Sequence, residues 1–235
     1  MKLRIVGSSI MWSKGNQASY LIDDKLLIDI PNGCCKDLRR LDILPTSINN
    51  ILITHMHGDH YFDIPFYLLN KLKSSNNLIN ICVSKSGIRK IRRLVFLAFP
   101  YSTYSIFHKL NINFITKNEF NIDNYKITQL KMNHGSLRHS YGYIIDNGIK
   151  KIGITGDTSI CDSVEYMASK VDVLVCDSTY IEGDYKHMGI DNIEVLAKSN
   201  PNTLFILSHS SDKVKMKEIT LDNMIIPKDG EEFDI

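Results

Sequence analysis

The sequence predicts an α/β protein in which two β-sheets pack together with helices on their outer faces. Short β-branched and apolar runs alternate with turns many times along the chain, and a few segments with helical apolar spacing lie between them. With 235 residues, 43% hydrophobic and 23% charged, the chain is long and apolar enough to bury such a core. It contains no internal repeat, low-complexity tract or Gly/Ser linker, so we predict a single domain over residues 1–235.

The elements follow from the apolar patterns and the turn residues between them. The predicted strands are 2–6, 18–22, 25–30, 51–53, 79–83, 111–115, 125–132, 141–145, 150–155, 171–176 and 203–208. The predicted helices are 63–72, 88–97 and 191–198. The turn Pro31-Asn32-Gly33 ends the third strand, and Ser199-Asn200-Pro201 closes the last helix.

Composition narrows the classes of partner and compartment. The formal net charge is only +2, so the overall balance does not require a polyanionic partner, and nucleic acid could bind only through a local patch. We see no secretory signal and no stretch approaching the roughly 20 apolar residues of a membrane span. Five scattered cysteines without a CxxC pair indicate reduced thiols, so we expect a cytoplasmic protein with no membrane partner.

A run of four metal-binding side chains follows the short strand 51–53. His55, His57, Asp59 and His60 offer imidazole nitrogens and a carboxylate, the donors expected for zinc and also for manganese or iron. Four donors within six residues are too close together for one tetrahedral ion to use comfortably, but they are well placed to supply two adjacent ions. Gly58 fits the tight backbone between them.

Three further donors follow apolar strands later in the chain. His134 comes after strand 125–132, Asp157 after 150–155, and His209 ends 203–208. Each lies next to small residues at a strand end, where polar side chains are held at the rim of a sheet. The first cluster makes all three stronger candidates together than any would be alone.

These residues resemble the ligand set of the metallo-β-lactamase superfamily, in order and spacing, from Gly7 to about Ser211. The resemblance implies a four-layer αβ/βα sandwich of two mixed sheets flanked by helices, with the metals at one edge. It implies one ion held by His55, His57 and His134. It further implies a second ion held by Asp59, His60 and His209, with Asp157 bridging the two. We therefore expect two divalent metal ions, zinc first and manganese or iron as alternatives.

A second group of residues is similar to the phosphodiesterase branch, which includes ribonuclease Z and small cyclic-phosphate phosphodiesterases. That branch has Asp at the bridging position and an acidic residue after a strand, in a pattern similar to Asp177-Ser178-Thr179-Tyr180. A His-Met or His-Ser dipeptide follows soon after, and here it is His187-Met188. The resemblance implies that Asp177 and His187 form a relay that protonates the leaving alkoxide. A general acid suits this chemistry because alkoxides are poor leaving groups.

Our hypothesis is hydrolysis of a small or cyclic phosphodiester by a metal-bridging hydroxide, formed from a bridging water that Asp59 orients or deprotonates. A ribonuclease Z-like tRNA 3′-processing endonuclease is the first alternative. Those enzymes usually carry a long tRNA-gripping arm, whereas here the interval from His134 to Asp157 is short. It holds a tight turn at Asp146-Asn147-Gly148, which leaves no room for an arm. The segment after His209, Ser210-Ser211-Asp212-Lys213, also lacks the Arg expected in the tRNA enzymes.

The segment 88–107 leaves nucleic acid open as a partner. It interleaves basic residues with aromatics, which could contact a phosphate backbone and stack on bases. We favour an amphipathic helix with a solvated basic face, because the net charge is small. The aromatic residues would then line or cover the pocket.

Two other functions fit the same donors. One is a lactone or ester hydrolase of the same fold, and the other is a non-catalytic metal-binding module; the full set of seven donors disfavours the module. His139, Ser210 and Ser211 are weak candidates for contacts with substrate. A homodimer is expected only by analogy with relatives.

Overall fold

Strands and helices alternate along the chain in the order that the sequence predicts, in a computed structural model that describes residues 1–73 and 78–235. The strands are β1 Lys2–Gly7, β2 Ser19–Ile22, β3 Leu26–Ile28, β4 Asn50–Leu52, β5 Leu78–Cys82, β6 Asn111–Ile115, β7 Glu119–Ile122, β8 Tyr125–Lys131, β9 Tyr141–Asp146, β10 Lys151–Ile154, β11 Val173–Asp177, β12 Leu204–Ser208, β13 Met224–Ile225 and β14 Glu232–Asp234. The helices are α1 Cys34–Arg40, α2 Gly58–Tyr61, α3 Ile64–Lys71, α4 Lys85–Ala98, α5 Thr103–Lys109, α6 Asp162–Ala168, α7 Ile190–Ser199 and α8 Asp212–Lys215.

The strands form two mixed sheets with the same pattern of directions. One has the order β14-β1-β2-β3-β4-β5-β6, and the other β13-β12-β11-β10-β9-β8-β7. In the first sheet the neighbours β14, β1, β2 and β3 are antiparallel to one another, and the neighbours β3, β4, β5 and β6 are parallel. In the second, β7 through β10 are antiparallel and β10 through β13 are parallel.

Three apolar clusters separate four layers. The central cluster lies between the sheets and joins residues such as Ile5 and Ile28 from the first sheet to Ile145 and Val175 from the second. A second cluster packs α1, α3 and α4 on the outer face of the first sheet. The third packs α6 and α7 on the second. The predicted fold, two mixed sheets flanked by helices, is therefore confirmed.

Two buried tyrosines join the sheets. The Tyr143 hydroxyl on β9 donates to the carbonyl of Ile53, just past β4, at 2.8 Å. The Tyr20 hydroxyl on β2 donates to Ser208 Oγ on β12 at 2.8 Å. Burial raises the pKa of both phenols, so they remain neutral donors. These bonds fix the two strand ends from which the His55 and His209 segments depart.

The predicted elements are present, with shifted ends in several cases. The third strand stops at Ile28 rather than at residue 30, because Asp29 has a left-handed backbone with φ 58°. The elements that were not predicted are α1, α2, α5, α6, α8, β7, β13 and β14. Helix α1 begins after Gly33, whose φ is 90°.

Helix α4 has the amphipathic character that the sequence predicts. Ile91 and Val95 are buried against the first sheet, while Arg89, Arg92 and Arg93 lie on the exposed face. The apolar spacing thus sets the orientation of the helix, and whether the basic face binds nucleic acid stays untested.

Within the described residues, no helix is long and apolar enough to cross a membrane. The five cysteines are free thiols, as predicted.

Candidate metal centre

The seven predicted metal ligands lie together at one edge of the sandwich, where strands from both sheets end. His55 follows β4, Asp157 follows β10, and His209 follows β12. Strand β8 runs in the same direction as β10, since both are antiparallel to β9, so His134 reaches this edge as well. Strands that end at one edge therefore bring donors far apart in sequence into one cluster.

The local backbone explains why the first run of donors faces the cluster. The chain stays extended after β4, so successive side chains alternate in direction. Met56 packs into the core, and His55 and His57 on either side of it meet at 2.9 Å between Nε2 and Nδ1. Helix α2 then starts directly after His57 and carries Asp59 and His60 in its first turn.

His55, His57, His134 and Asp157 form the first group of donors. Nδ1 of His57 lies 3.3 Å from Nε2 of His134. One oxygen of Asp157 lies 3.6 Å from His55 Nε2 and 3.8 Å from His134 Nε2. Ligands bound at about 2.0–2.1 Å in a tetrahedron are about 3.3 Å apart, so this spacing suits a divalent metal ion.

Asp59, His60 and His209 form the second group. Nε2 of His209 lies 3.7 Å from Asp59 and 3.5 Å from Asp157. Nε2 of His60 lies 3.4 Å from the other oxygen of Asp157. Asp157 thus presents one oxygen or the other to both groups.

The polar atoms in the second group lack hydrogen-bond partners. Asp59 Oδ1, Asp157 Oδ1, His60 Nε2 and His209 Nε2 are all buried and unpaired. Burying such groups without a partner costs free energy that a native structure seldom leaves uncompensated. A divalent cation bound between them would satisfy these atoms, so the residues fit a metal.

The protonation of the histidines also suits metal binding. Burial lowers the pKa of His55 well below its usual range, and it lowers that of His57 too, so both rings are neutral. Burial acts the same way on His60 and His209, but the surrounding carboxylates, Asp157 first among them, together outweigh it. The pKa of His60 is raised well above its usual value, and that of His209 rises to about 10. A bound cation would replace those protons opposite the carboxylate.

Sequence reasoning missed Asp29, a buried carboxylate behind the cluster. It accepts hydrogen bonds from the backbone N–H and hydroxyl of Thr54, at 2.8 and 2.7 Å, and from His60 Nδ1–H at 2.8 Å. Such a bond fixes which nitrogen of the imidazole faces the metal. The available signal was a lone Asp directly after the apolar strand Leu26–Ile28.

Asp177, which is buried, and His187, which is partly buried, form a second carboxylate–histidine pair. His187 Nδ1–H donates to Asp177 Oδ2 at 2.8 Å, and Asp177 Oδ2 also accepts from the backbone N–H of Thr158. Its other oxygen accepts from the N–H and hydroxyl of Thr179. Because both oxygens are occupied, Asp177 is placed to hold His187 rather than a metal.

The imidazole of His187 lies against that of His134 in the first group of donors, with ring centroids 4.7 Å apart. Burial lowers its pKa, but the hydrogen bond and charge of Asp177 raise it above 6.5 overall. The protonated ring is therefore available near neutral pH, beside the cluster.

The three weak candidates for substrate contacts lie outside the donor cluster. His139 Nδ1 is 3.2 Å from the Tyr141 hydroxyl. The hydroxyl of Ser210 is buried and bonded to Ser178 at 2.7 Å, and Ser211 precedes α8. Their contact with substrate stays a prediction.

The fold and sequence resemble known hydrolases. Ribonuclease Z of Staphylococcus epidermidis is 24% identical over 251 residues, which cover 83% of this chain and 80% of that protein. The metallo-β-lactamase fold protein YhfI from Bacillus subtilis superposes with a TM-score of 0.78 at 19% identity, covering 99% of both chains. A diphosphatase from the PhnP family superposes with a TM-score of 0.74 at 18% identity, covering 100% of this chain and 97% of that one.

These similarities confirm a hydrolase with the metallo-β-lactamase fold and a ribonuclease Z-like sequence. A family model described as "Anti-Pycsar protein Apyc1" matches residues 1–233, nearly the whole chain, and the chain belongs to that family.

Proposed function

We propose that this protein is a phosphodiesterase that uses two divalent metal ions, zinc first, to hydrolyse a small or cyclic phosphodiester. The observation that carries the proposal is the pairing of Asp177 with His187 at 2.8 Å beside the metal ligands. A hydrolase that expels a good leaving group has little use for a buried, charge-supported acid there. A phosphodiesterase needs one, since an alkoxide leaves poorly without a proton.

The position of each donor determines which of the two ions it would hold. His55, His57 and His134 would hold one ion, and Asp59, His60 and His209 the other, with Asp157 between. When bound, the ions would supply an activated water and neutralise charge on the phosphoryl oxygens.

The proton for the leaving group comes from the chain itself. Asp59, whose carboxylate would help to hold the second ion, would also orient or deprotonate the attacking water beside it. On the other side, Asp177 holds the His187 imidazolium through Nδ1, so that Nε2–H is the proton given to the departing oxygen.

The substrate is small or exposed because the edge of the site carries no long arm. Between His134 and Asp157 the chain forms only β9, β10 and a tight turn. In that turn Gly148 has φ 86° and its N–H donates to Asp146 at 2.7 Å. The short hairpin supports a substrate other than a tRNA precursor.

A ribonuclease Z-like activity on tRNA is the second candidate. It is favoured by the curated ribonuclease Z relatives and by the exposed arginines of α4. Cleavage of a tRNA precursor at its 3′ trailer, faster than any small diester, would establish it instead.

A substrate panel tests the proposal directly. Cyclic nucleotides, cyclic sugar phosphates, bis-p-nitrophenyl phosphate, a tRNA precursor and a set of lactones would be assayed with zinc and with manganese. We expect hydrolysis of small phosphodiesters and none of lactones. Turnover of lactones alone would establish the ester hydrolase, and metal content well below one ion per chain would support a non-catalytic module.

The variant His187→Ala tests the relay. We expect a loss of about 10²–10⁴-fold in kcat with alkyl phosphodiesters and less than about 10-fold with p-nitrophenyl esters, which need no acid. His108→Ala is the matched control, because that ring stacks on Tyr104 rather than on the cluster. Equal losses on both kinds of ester would rule out the relay.

A further inference from the structure

The loop from Gly183 to His187 contacts the metal centre at two points. It carries His187, which bonds to Asp177. It also presents the backbone carbonyl of Lys186, which accepts a hydrogen bond from His134 Nδ1–H at 3.0 Å. Because His134 lies 52 residues earlier in the sequence, the loop links a metal-ligand segment to the residue proposed as general acid.

One side chain organises this loop. Oδ1 of Asp184 accepts from the backbone N–H of Lys186 at 2.7 Å and of His187 at 2.8 Å. The N–H of Asp184 in turn donates to the carbonyl of His187 at 2.8 Å. Asp184 is exposed, so its place in the loop is not explained by burial of the side chain.

The planarity of the peptide bond connects the two contacts. The carbonyl of Lys186 and the N–H of His187 belong to the same peptide unit, whose atoms lie in one plane. In that unit the N–H donates a hydrogen bond to Asp184, and the C=O accepts one from the His134 ring. Fixing one end of the plane therefore fixes the direction of the other.

The loop also packs against the residue after His134. Gly135 has φ 55°, and a Cβ there would lie 2.9 Å from Cγ of Lys186. The aliphatic part of Lys186 thus covers the backbone of the ligand segment, which adds a packing contact to the hydrogen bond.

We propose that Asp184 is a positioning residue that orients His134 and His187 together through the Lys186–His187 peptide. A carbonyl that accepts the Nδ1–H of a ligand histidine directs its Nε2 toward the metal, and losing such a partner typically weakens metal binding 10–100-fold. The effect on His134 stands on geometry alone, whereas the effect on His187 rests on the proposed function.

The chain supplies a matched control for a purely structural turn. In the hairpin between β9 and β10, Oδ1 of Asn147 accepts from the N–H groups of Ile149 and Lys150, at 3.0 and 2.8 Å. The two bonds span the same sequence separations as those of Asp184. The variant Asn147→Ala removes the same kind of turn from a hairpin that carries no donor of the cluster.

The experiment compares Asp184→Ala, Asp184→Asn and Asn147→Ala. Zinc affinity is measured by competition with a chromophoric chelator, the melting temperature is measured without metal, and rates are measured on an alkyl and a p-nitrophenyl diester. We expect Asp184→Ala to weaken zinc binding about 10-fold. It should also lower the alkyl rate by more than the p-nitrophenyl rate.

Asp184→Asn should stay within about 3-fold of the unaltered protein in both, because the amide oxygen can accept the same two bonds. Asn147→Ala should lower the melting temperature by a similar amount and change neither zinc affinity nor the rate ratio. The proposal fails if Asp184→Ala changes zinc affinity no more than Asn147→Ala, or if Asp184→Asn loses as much as Asp184→Ala.

Failure of the proposed function would look different. If the unaltered protein hydrolyses no phosphodiester, the phosphodiesterase assignment falls. The zinc titration of Asp184→Ala still decides whether this side chain orients His134, because that measurement needs no turnover.

Discussion

Asp29, which follows strand β3 of the first sheet, and Asp177, which ends strand β11 of the second, have the same arrangement of hydrogen-bond partners. Asp29 follows β3 and accepts from the backbone N–H and the hydroxyl of Thr54, and from His60 Nδ1–H. The Thr54 hydroxyl also lies 3.1 Å from Nδ1 of His55. One carboxylate therefore holds one histidine directly and a second through a threonine.

Asp177 ends β11 and repeats the pattern. It accepts from the N–H and hydroxyl of Thr179 and from His187 Nδ1–H. The Thr179 hydroxyl lies 2.9 Å from Nδ1 of His209. Here too, one histidine is held directly and one through the threonine.

The two arrangements differ in what the directly held ring meets on its other side. Nε2 of His60 is buried and faces Asp157 at 3.4 Å, where we propose that it binds a metal ion. The side chain of His187 is 14% exposed at the rim of the site. On the proposed function, the same local structure supports a metal ligand in one sheet and a proton donor in the other, and the surroundings of Nε2 decide between them.

The largest effect is expected from Asp157→Ala, which removes the carboxylate that both donor groups share. Metal ions contribute several kcal/mol to hydrolysis, so we expect at least about a 10³-fold loss of kcat/KM for every substrate. Metal content, measured by elemental analysis, should fall in parallel.

The control for that variant is Asp172→Ala. Asp172 is a carboxylate outside the cluster that accepts from the backbone N–H of Lys151 and pairs with Lys150 at an exposed strand start. It should lose neither metal nor activity. A full metal content in Asp157→Ala would contradict the bridging role.

Asp29→Asn tests the arrangement that holds metal ligands. The amide keeps the shape but no longer offers a charged acceptor to His60, so metal affinity should fall about 10–100-fold. At subsaturating zinc, activity should fall by the same factor for alkyl and p-nitrophenyl esters. A loss that depends on the leaving group would place Asp29 in proton transfer instead.

Asp177→Asn is the matched change in the second sheet, and a smaller, selective loss is expected. Without the carboxylate, the His187 imidazolium loses its partner, so alkyl esters should slow by roughly 10-fold or more while p-nitrophenyl esters change little. Rates are compared at saturating zinc, which separates this effect from metal loss. If the two Asn variants give the same pattern, the two arrangements have the same role.

The candidate donors could be picked out from the sequence because the first four stand almost side by side. The run from His55 to His60 is visible without a fold, and the later donors follow strands whose apolar pattern is clear. Asp29 was missed since its partners Thr54 and His60 are 25 and 31 residues away and come near only when β3 pairs with β4.

Other features could not be predicted because they involve backbone atoms. The acceptor for His134 is the carbonyl of Lys186, and a carbonyl has no residue type to recognise.

Helix α1 was likewise missed, since a seven-residue helix after a Pro-Asn-Gly turn has too few apolar positions to show a period. The sheets and the site's location followed from patterns, whereas the contacts behind the ligands required the fold.

The smallest expected effect concerns the two threonines that extend each arrangement. Thr54→Val and Thr179→Val keep the side-chain shape and remove a buried hydroxyl, which leaves a carboxylate and an imidazole N–H each short of a partner. We expect both to lower the free energy of unfolding by about 1–3 kcal/mol, measured by urea titration with a chelator present.

Thr203→Val is the control for the threonine pair, because its buried hydroxyl bonds only to the carbonyls of Ala168 and Val171. It should cost similar stability and leave zinc affinity unchanged, whereas the other two should weaken zinc binding by a few-fold, through His55 and His209. If only Thr54→Val weakens zinc binding, the Asp177 arrangement serves proton transfer alone. The two arrangements would then share their geometry but not their role.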